Sequence, residues 1–413
     1  MDFQTLVSRC SEREMKMRRK LFILFCLLTL PAWLAADEND TAAIRQFAEV
    51  ADATAIENVQ PVKNIILMIG DGMGFEAVTA ARIAALGRGI GLAFDRMPVI
   101  GQSVTYSLND DLITDSAAGA TALASGLKTL NGRIGEDREG RKTKTILELA
   151  KELGKSAGIV VTCEATHATP ACFASHVKER NNYWEIARQM SQAPLDVLLG
   201  GGYGYFLAGS RKESFRDDEL DLLGEMQKRG AVVTTKIPEF RGLDLSRVDK
   251  LVGLFAPSHL PPAGKREISL PEMTQAALKI LSRNPKGFFL MIEGSQIDWA
   301  GHANNLQYSV EETLDFDQCL QTVLDFAGKD GKTLVIVTAD HETGGLSLNS
   351  ADEGKKTLTA GWTQGDHTAN VVPLLAFGPN AAAFGRVVQN HQIPQLAVQG
   401  WGVKNFTGFA FEK

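Results

Sequence analysis

Four apolar runs in this chain of 413 residues each break off at acidic or imidazole side chains, and this pattern restricts the fold more than any other. "NIILMIGDG" runs into Asp71, "KSAGIVVTCEATHAT" ends near His167 and Thr169, "GFFLMIEGSQID" reaches Glu293 and Asp298, and "KTLVIVTADHETGG" ends in Asp340 and His341. Runs that are apolar without alternation belong to strands covered on both faces, as in parallel sheets flanked by helices. Helical patterns fall between them at roughly 74–87, 116–125, 143–154, 170–179, 271–283 and 305–327. Strand and helix alternating in this way predict an α/β fold: a doubly wound, mostly parallel central sheet with helices on both faces. Ligands of such sheets bind beyond the carboxyl ends of the strands, where these acids and histidines gather.

The seven histidines sort themselves by their surroundings. Asp298 and His302 are four residues apart, so on one helical turn they share a face and can hold one ion. Asp340 and His341 are adjacent, which works in a loop, where neighbours are not forced to opposite faces. His367 lies in the polar turn "QGDHTAN". Imidazole and carboxylate without thiolate suit zinc in an open site, whereas Asp71, Glu293 and the Thr169 hydroxyl suit a harder ion such as magnesium. His176 reads as helix surface, and His259 in "PSHLPP" and His391 in "QNHQIP" read as loop residues.

Ser116 opens the small-residue stretch "DSAAGATALASG". A helix of Ala, Gly and Thr can be approached closely, and a serine at its start stands where backbone N–H groups and the positive end of the dipole point outward. The stretch is either a packed core helix or a helix whose serine faces an anion. "GGG" at 200–202 lacks the Lys-Ser/Thr of a phosphate-binding loop and reads as a tight turn. The charge runs "KERNN" and "RKESFRDDE" read as solvated faces.

A hydrophobic content of 44% provides a full core, and a net charge of −6 argues against a general nucleic-acid binder. Lys16, Arg18, Arg19 and Lys20 precede the apolar run "LFILFCLLTLPAWLAA", the order of a secretory signal. That run is shorter than the roughly 20 residues needed to span a bilayer. Residues 1–36 are therefore expected to be an upstream extension and signal peptide, removed on export to the periplasm or the outside, with no stable membrane anchor. Their loss takes away six basic and three acidic side chains, leaving a net charge of −9 on a single catalytic domain, 37–413, with small surface insertions. Cys163, Cys172 and Cys319 then remain, and both a Cys163–Cys172 bridge and buried free thiols stay open.

The ordered motifs "IGDGMG", "TDSAAGATALASG", "HATPACFASHVKER", "IEGSQIDWAGH", "TADHETGG" and "GDHTAN" resemble the signatures of the alkaline phosphatase family. The resemblance spans most of the chain and implies a phosphomonoesterase acting on small phosphate monoesters, with two Zn²⁺ and one Mg²⁺ per chain. It implies Ser116 as nucleophile, Asp340, His341 and Asp71 around one zinc, and Asp298, His302 and His367 around the second. Asp71 would bridge to a magnesium completed by Thr169 and Glu293. Arg180, at the end of the helix after Pro170, would grip the phosphoryl group, with Asp115 orienting it. The phosphoryl group would pass through a phosphoserine, with turnover favoured in alkali. His167 and Trp299 stand where family members vary, near the magnesium and the phosphate respectively, in place of an Asp and Lys pair.

A serine hydroxyl needs a base or a metal to become a nucleophile. No histidine lies near Ser116 in sequence, and the G-x-S-x-G elbow is missing, so metal activation is the simpler reading. Only 25 residues separate His341 from His367, where relatives often carry a larger insertion over a dimer, so a homodimer is possible but not fixed. A related phosphodiesterase would commonly carry threonine at the nucleophile and lack the third ion site. A sulfatase would need a C/S-x-P-x-R motif. A non-catalytic binder of phosphate or metal would lack the nucleophile or its zinc ligands.

Overall fold

The four apolar runs become neighbouring strands at the centre of a ten-stranded sheet. The computed structural model describes residue 56, residues 58–409 and residues 411–412; the expected leader, 1–36, lies outside the described residues. The strands are β1 (Asn64–Gly70), β2 (Val99–Val104), β3 (Ser156–Glu164), β4 (Val197–Gly201), β5 (Val232–Thr234), β6 (Leu251–Leu254), β7 (Phe288–Gly294), β8 (Thr333–Thr338), β9 (Val372–Phe377) and β10 (Val387–Gln389). Their order across the sheet is β10-β2-β9-β8-β1-β7-β3-β4-β6-β5. All neighbours pair in parallel except β9, which opposes both β2 and β8. The mostly parallel, helix-flanked α/β sheet expected from the sequence is what the chain forms.

Every residue of β1, β7 and β8 is buried, because helices cover both faces. Alternate side chains feed two separate cores. Ile65, Leu67, Ile69, Phe289, Met291, Leu334 and Ile336 enter one. Ile66, Met68, Phe288, Leu290, Ile292, Val335 and Val337 enter the other. The register places Ile69 beside Glu293 and Thr338, and Val161 beside Glu293. Four strands therefore end at one edge of the sheet.

The helices keep to their sequence signals. Phe75–Leu86, Ser116–Ser125, Ile146–Glu152, Leu270–Leu281 and Leu306–Asp330 fall within the expected stretches or within a few residues of them. Thr145 closes a capping box with Glu148, and Ser269 caps the helix that carries Pro271 in its first turn. The expected 170–179 helix is corrected: it spans Ala168–Ala174 and stops because Ser175 turns extended and Val177 bridges to Ile134. His176 consequently lies beyond the helix, pinned by Gly135 O and Glu148. Gly200 and Gly201 finish β4, and only Gly202, with φ 96°, makes the turn expected of all three. "RKESFRDDE" is not wholly solvated, because the Arg216 side chain is 2% exposed and paired with Asp218. The described residues fall within one compact unit. Among the described residues no helix is long and apolar enough to cross a membrane.

Candidate active site

The Ser116–Ser125 helix is buried at all ten positions, and small side chains everywhere but at Leu123 let it press against the end of β8. A Cβ on Gly119 would stand 2.9 Å from the carbonyl oxygen of Asp340, so only glycine permits that approach. Gly72, in the turn after β1, has φ +71° and its hydrogens face the Asp298 backbone, where a Cβ would come within 2.6 Å of Cα. Two close approaches thus bring Ser116, Asp71, Asp298 and Asp340 into one pocket.

Ser116 Oγ lies 3.2 Å from His341 Nε2. The same nitrogen is 3.4 Å from Asp71 Oδ1 and 3.4 Å from Asp340 Oδ2. Asp298 Oδ1 stands 3.4 Å from His302 Nε2 and 3.6 Å from His367 Nε2. Thr169, on the Ala168–Ala174 helix that begins after His167, donates to Asp71 Oδ2. His367 precedes its strand rather than following it. It reaches the pocket because β9 is antiparallel, which puts its amino end beside the carboxyl ends of its neighbours. The short ribbon pairing His367 with Thr343 brings the His367 ring onto His341, with centroids 3.6 Å apart.

The hydrogen bonds fix which imidazole nitrogens face inward. His302 Nδ1 meets Gly365 O and His367 Nδ1 meets Thr114 O, and a carbonyl can only accept. The Thr343 hydroxyl donates to Asp298, so it accepts from His341 Nδ1. With each Nδ1 spent on an outer partner, all three Nε2 atoms face carboxylates, an arrangement that needs a proton or a metal cation between each nitrogen and its carboxylate. Outer partners of this kind are what orient metal-ligating histidines.

The charges lead to the same conclusion. Asp71, Glu293, Asp298 and Asp340 are each at most 4% exposed. Burial, then the neighbouring carboxylates, pushes Asp71 and Asp340 well above the usual carboxylate range. Burial takes Glu293 up to about 7. Burial acts on Asp298 too, but the hydrogen bond with His302 and the nearby imidazoles hold it below that range. Burial, then His367, lowers His341 well below its ordinary value. Asp71 Oδ1, Asp340 Oδ2, Glu293 Oε1 and His167 Nδ1 are buried without a hydrogen-bond partner. Four buried carboxylates, three of them with an orphaned oxygen, fit divalent cations. The potential ligand groups include Asp71–Asp340–His341 and Asp298–His341–His367.

Arg180 comes from a turn whose backbone is tied to Gly132 O, not from a helix end. Its Nη1 donates to Asp115 Oδ2 at 2.9 Å. Asp115 also accepts from the amides of Ala118 and Gly132, so it caps the Ser116 helix and holds the guanidinium at once. Trp299 packs its ring edge-on to His167, with centroids 6.0 Å apart.

Sequence reasoning passed over four contributors. His259, read as a loop residue, lies against Trp299 with centroids 4.3 Å apart and accepts from the Glu164 amide. Thr343 locks His341 to Asp298. Glu342 binds the Gly345 and Leu346 amides and the Thr368 hydroxyl, which steadies the His341–His367 ribbon. Cys163 lies 3.4 Å from Glu293 and is a free thiol, as are Cys172 and Cys319, which closes the question of a bridge. Only Thr343 carried a signal: its place two residues beyond His341.

A family model described as alkaline phosphatase matches residues 62–358. The chain is 33% identical to alkaline phosphatase 3 of Bacillus subtilis, over 83% of this chain and 91% of that one. Among solved structures it is similar to the alkaline phosphatase of the Antarctic bacterium TAB5, with a TM-score of 0.74 and 34% identity, covering 83% of this chain and 98% of the other. A variant of that enzyme with a histidine replaced by glutamate, equally similar at 34% identity and a TM-score of 0.74 over 83% and 99% of the two chains, holds Mg in a site designated M3.

Proposed function

The chain belongs to the alkaline phosphatase family and is a phosphatase of that family, and from that premise we propose that it hydrolyses phosphate monoesters to an alcohol and inorganic phosphate through a phosphoserine at Ser116. The observation carrying this reading is Ser116 Oγ, at the head of a helix and 3.2 Å from the His341 nitrogen that faces Asp71 and Asp340. Asp71, Asp340 and His341 would hold one zinc ion, and Asp298, His302 and His367 a second. Asp71, Thr169 and Glu293 would hold magnesium. Bound there, the cations supply a lowered hydroxyl pKa and charge neutralisation for the attacking and leaving oxygens.

Ser116 Oγ attacks phosphorus and gives its proton to solvent as the bond to the alcohol oxygen breaks on the opposite side, and that oxygen takes a proton from water. Arg180 donates to two equatorial phosphoryl oxygens, a planar fork matched to the charge they carry. Asp115 keeps that fork in place, and the open amides of the Ser116 helix favour the dianion. Water then attacks the phosphoserine from the side the alcohol vacated, and Ser116 leaves and regains a proton. His167 and Trp299 border this space and shape the approach of phosphate. Because the contacts are to the phosphoryl group, the alcohol is loosely specified. Export to the periplasm or beyond follows from the basic and apolar segment within residues 16–36.

The test is turnover of p-nitrophenyl phosphate and of bis(p-nitrophenyl) phosphate, before and after chelation, for the native chain and Ser116→Ala. The expected result is a preference for the monoester, loss of activity on chelation, and a fall of about 10³-fold or more in Ser116→Ala with melting temperature and metal content kept. Near-normal turnover of Ser116→Ala with metals bound would refute the mechanism, and a preference for the diester would refute the substrate class.

A further inference from the structure

Beside the hard-donor set at Glu293 lies a second, softer one. The ligand atoms of Cys163, His167 and Glu293 all come within 4.8 Å of one another. Four-coordinate zinc with sulfur at about 2.3 Å and nitrogen or oxygen at about 2.0–2.2 Å needs ligand separations of about 3.3–3.7 Å, so small side-chain adjustments suffice. Cys163 lies two residues beyond Val161, the β3 partner of Glu293, and therefore shares its face. The Ser295 hydroxyl accepts from the Thr162 and Cys163 amides, while Thr162 Oγ1 accepts from the Ser295 amide, so the ends of β3 and β7 are locked together. Two polar atoms of the cluster, Glu293 Oε1 and His167 Nδ1, are buried without a partner. The other buried thiols differ: Cys172 bonds Thr121 and Ala117 O, Cys319 bonds Thr274, and neither joins a group of ligands.

We propose that Cys163, His167 and Glu293 form a thiolate-containing site for a borderline divalent cation such as Zn²⁺ or Co²⁺, which competes with Mg²⁺ for Glu293. On binding, the Cys163 thiol gives its proton to solvent and its sulfur takes the cation. Glu293 belongs to both sets and its Oε2 already meets Cys163, so the cation present decides whether Thr169 and Asp71 or Cys163 and His167 are its main partners. The inference rests on the reading above only through Glu293.

The experiment is Co²⁺ titration of the metal-stripped full chain, with Cys10→Ser and Cys26→Ser so that only the three buried cysteines remain. The readout is the near-ultraviolet thiolate-to-cobalt charge-transfer band. The expected result is a band equivalent to one thiolate per chain, abolished by Cys163→Ser, kept in Cys172→Ser and Cys319→Ser, and displaced by excess Mg²⁺. No band, a band unchanged in Cys163→Ser, or a band indifferent to Mg²⁺ would each overturn the proposal. Should Cys163→Ser fail to fold, X-ray absorption of the zinc-loaded chain decides: a sulfur neighbour at about 2.3 Å supports it, and nitrogen or oxygen neighbours alone refute it. Turnover is read separately. A missing band with turnover intact sinks this inference alone, and a band in a chain that hydrolyses no ester sinks only the phosphatase reading.

Discussion

Replacing Gly119 with alanine probes the contact that assembles the pocket. The added Cβ would lie 2.9 Å from Asp340 O and 3.1 Å from Asp340 Cβ, where ordinary contacts begin at 3.4 Å. The helix and the end of β8 must therefore part by about 0.5 Å, because neither neighbour is the free end of a flexible side chain. Asp340 is itself tied down, its Oδ1 accepting from the amides of Gly72 and His341. Overpacking of this kind costs about 1–3 kcal/mol, offset by about 1 kcal/mol from the better helix propensity of alanine. The net loss is at most about 2 kcal/mol, or a few degrees of melting temperature. Catalysis suffers more than stability. Ser116 stands one turn before Gly119 on the same face, so it moves with the helix away from His341. A misplacement of about 1 Å can cost about 10²-fold, so half of that should lower kcat/KM about tenfold. Steady-state kinetics with p-nitrophenyl phosphate and thermal unfolding of the same samples measure both. If Gly119→Ala melts higher and keeps kcat/KM within about twofold, helix propensity has won and the close approach does not hold the site.

Arg180→Ala should lower kcat/KM about 10²–10³-fold and weaken inhibition by inorganic phosphate, since a transition-state donor is lost; unchanged phosphate inhibition would refute the grip. Thr343→Val removes the hydroxyl that joins His341 Nδ1 to Asp298, and should weaken metal binding about 10–100-fold in a competitive chelator titration. An unchanged affinity would show that Thr343 orients nothing. Chelation should lower the melting temperature, and the gap between metal-free and loaded protein should widen from about pH 6.5 to 9. In the metal-free chain, Glu293, pushed up to about 7 by burial, and His302, raised to about 9 by its hydrogen bond with Asp298, keep protons that the unfolded chain has released. Each raised group contributes stability that is present below its unfolded pKa and lost as pH rises through its folded one. His167 and His341, held below their ordinary values, act below about 6.5, while Lys128 and Lys155, lowered mainly by burial, oppose the trend equally in both forms. A gap that stays flat or narrows would refute the assignment.

The sequence by itself determined the materials of this protein. Unbroken apolar runs could only become strands covered on both faces, and β1, β3, β7 and β8 are those runs. The Ala, Gly and Thr stretch after Asp115 could only be a helix that others approach closely, and the residues at the strand ends named the chemistry. Tertiary structure decided who meets whom. His367 joins the pocket because β9 runs backwards, Arg180 because its turn is tied to Gly132, and Cys163 reaches Glu293 because β3 lies beside β7. His259, still in its loop, meets Trp299 on the same account. Local propensity fixes the conformation of a few neighbouring residues, whereas strand order and direction are set by hydrogen bonds and packing between segments up to hundreds of residues apart. No window of sequence contains that information.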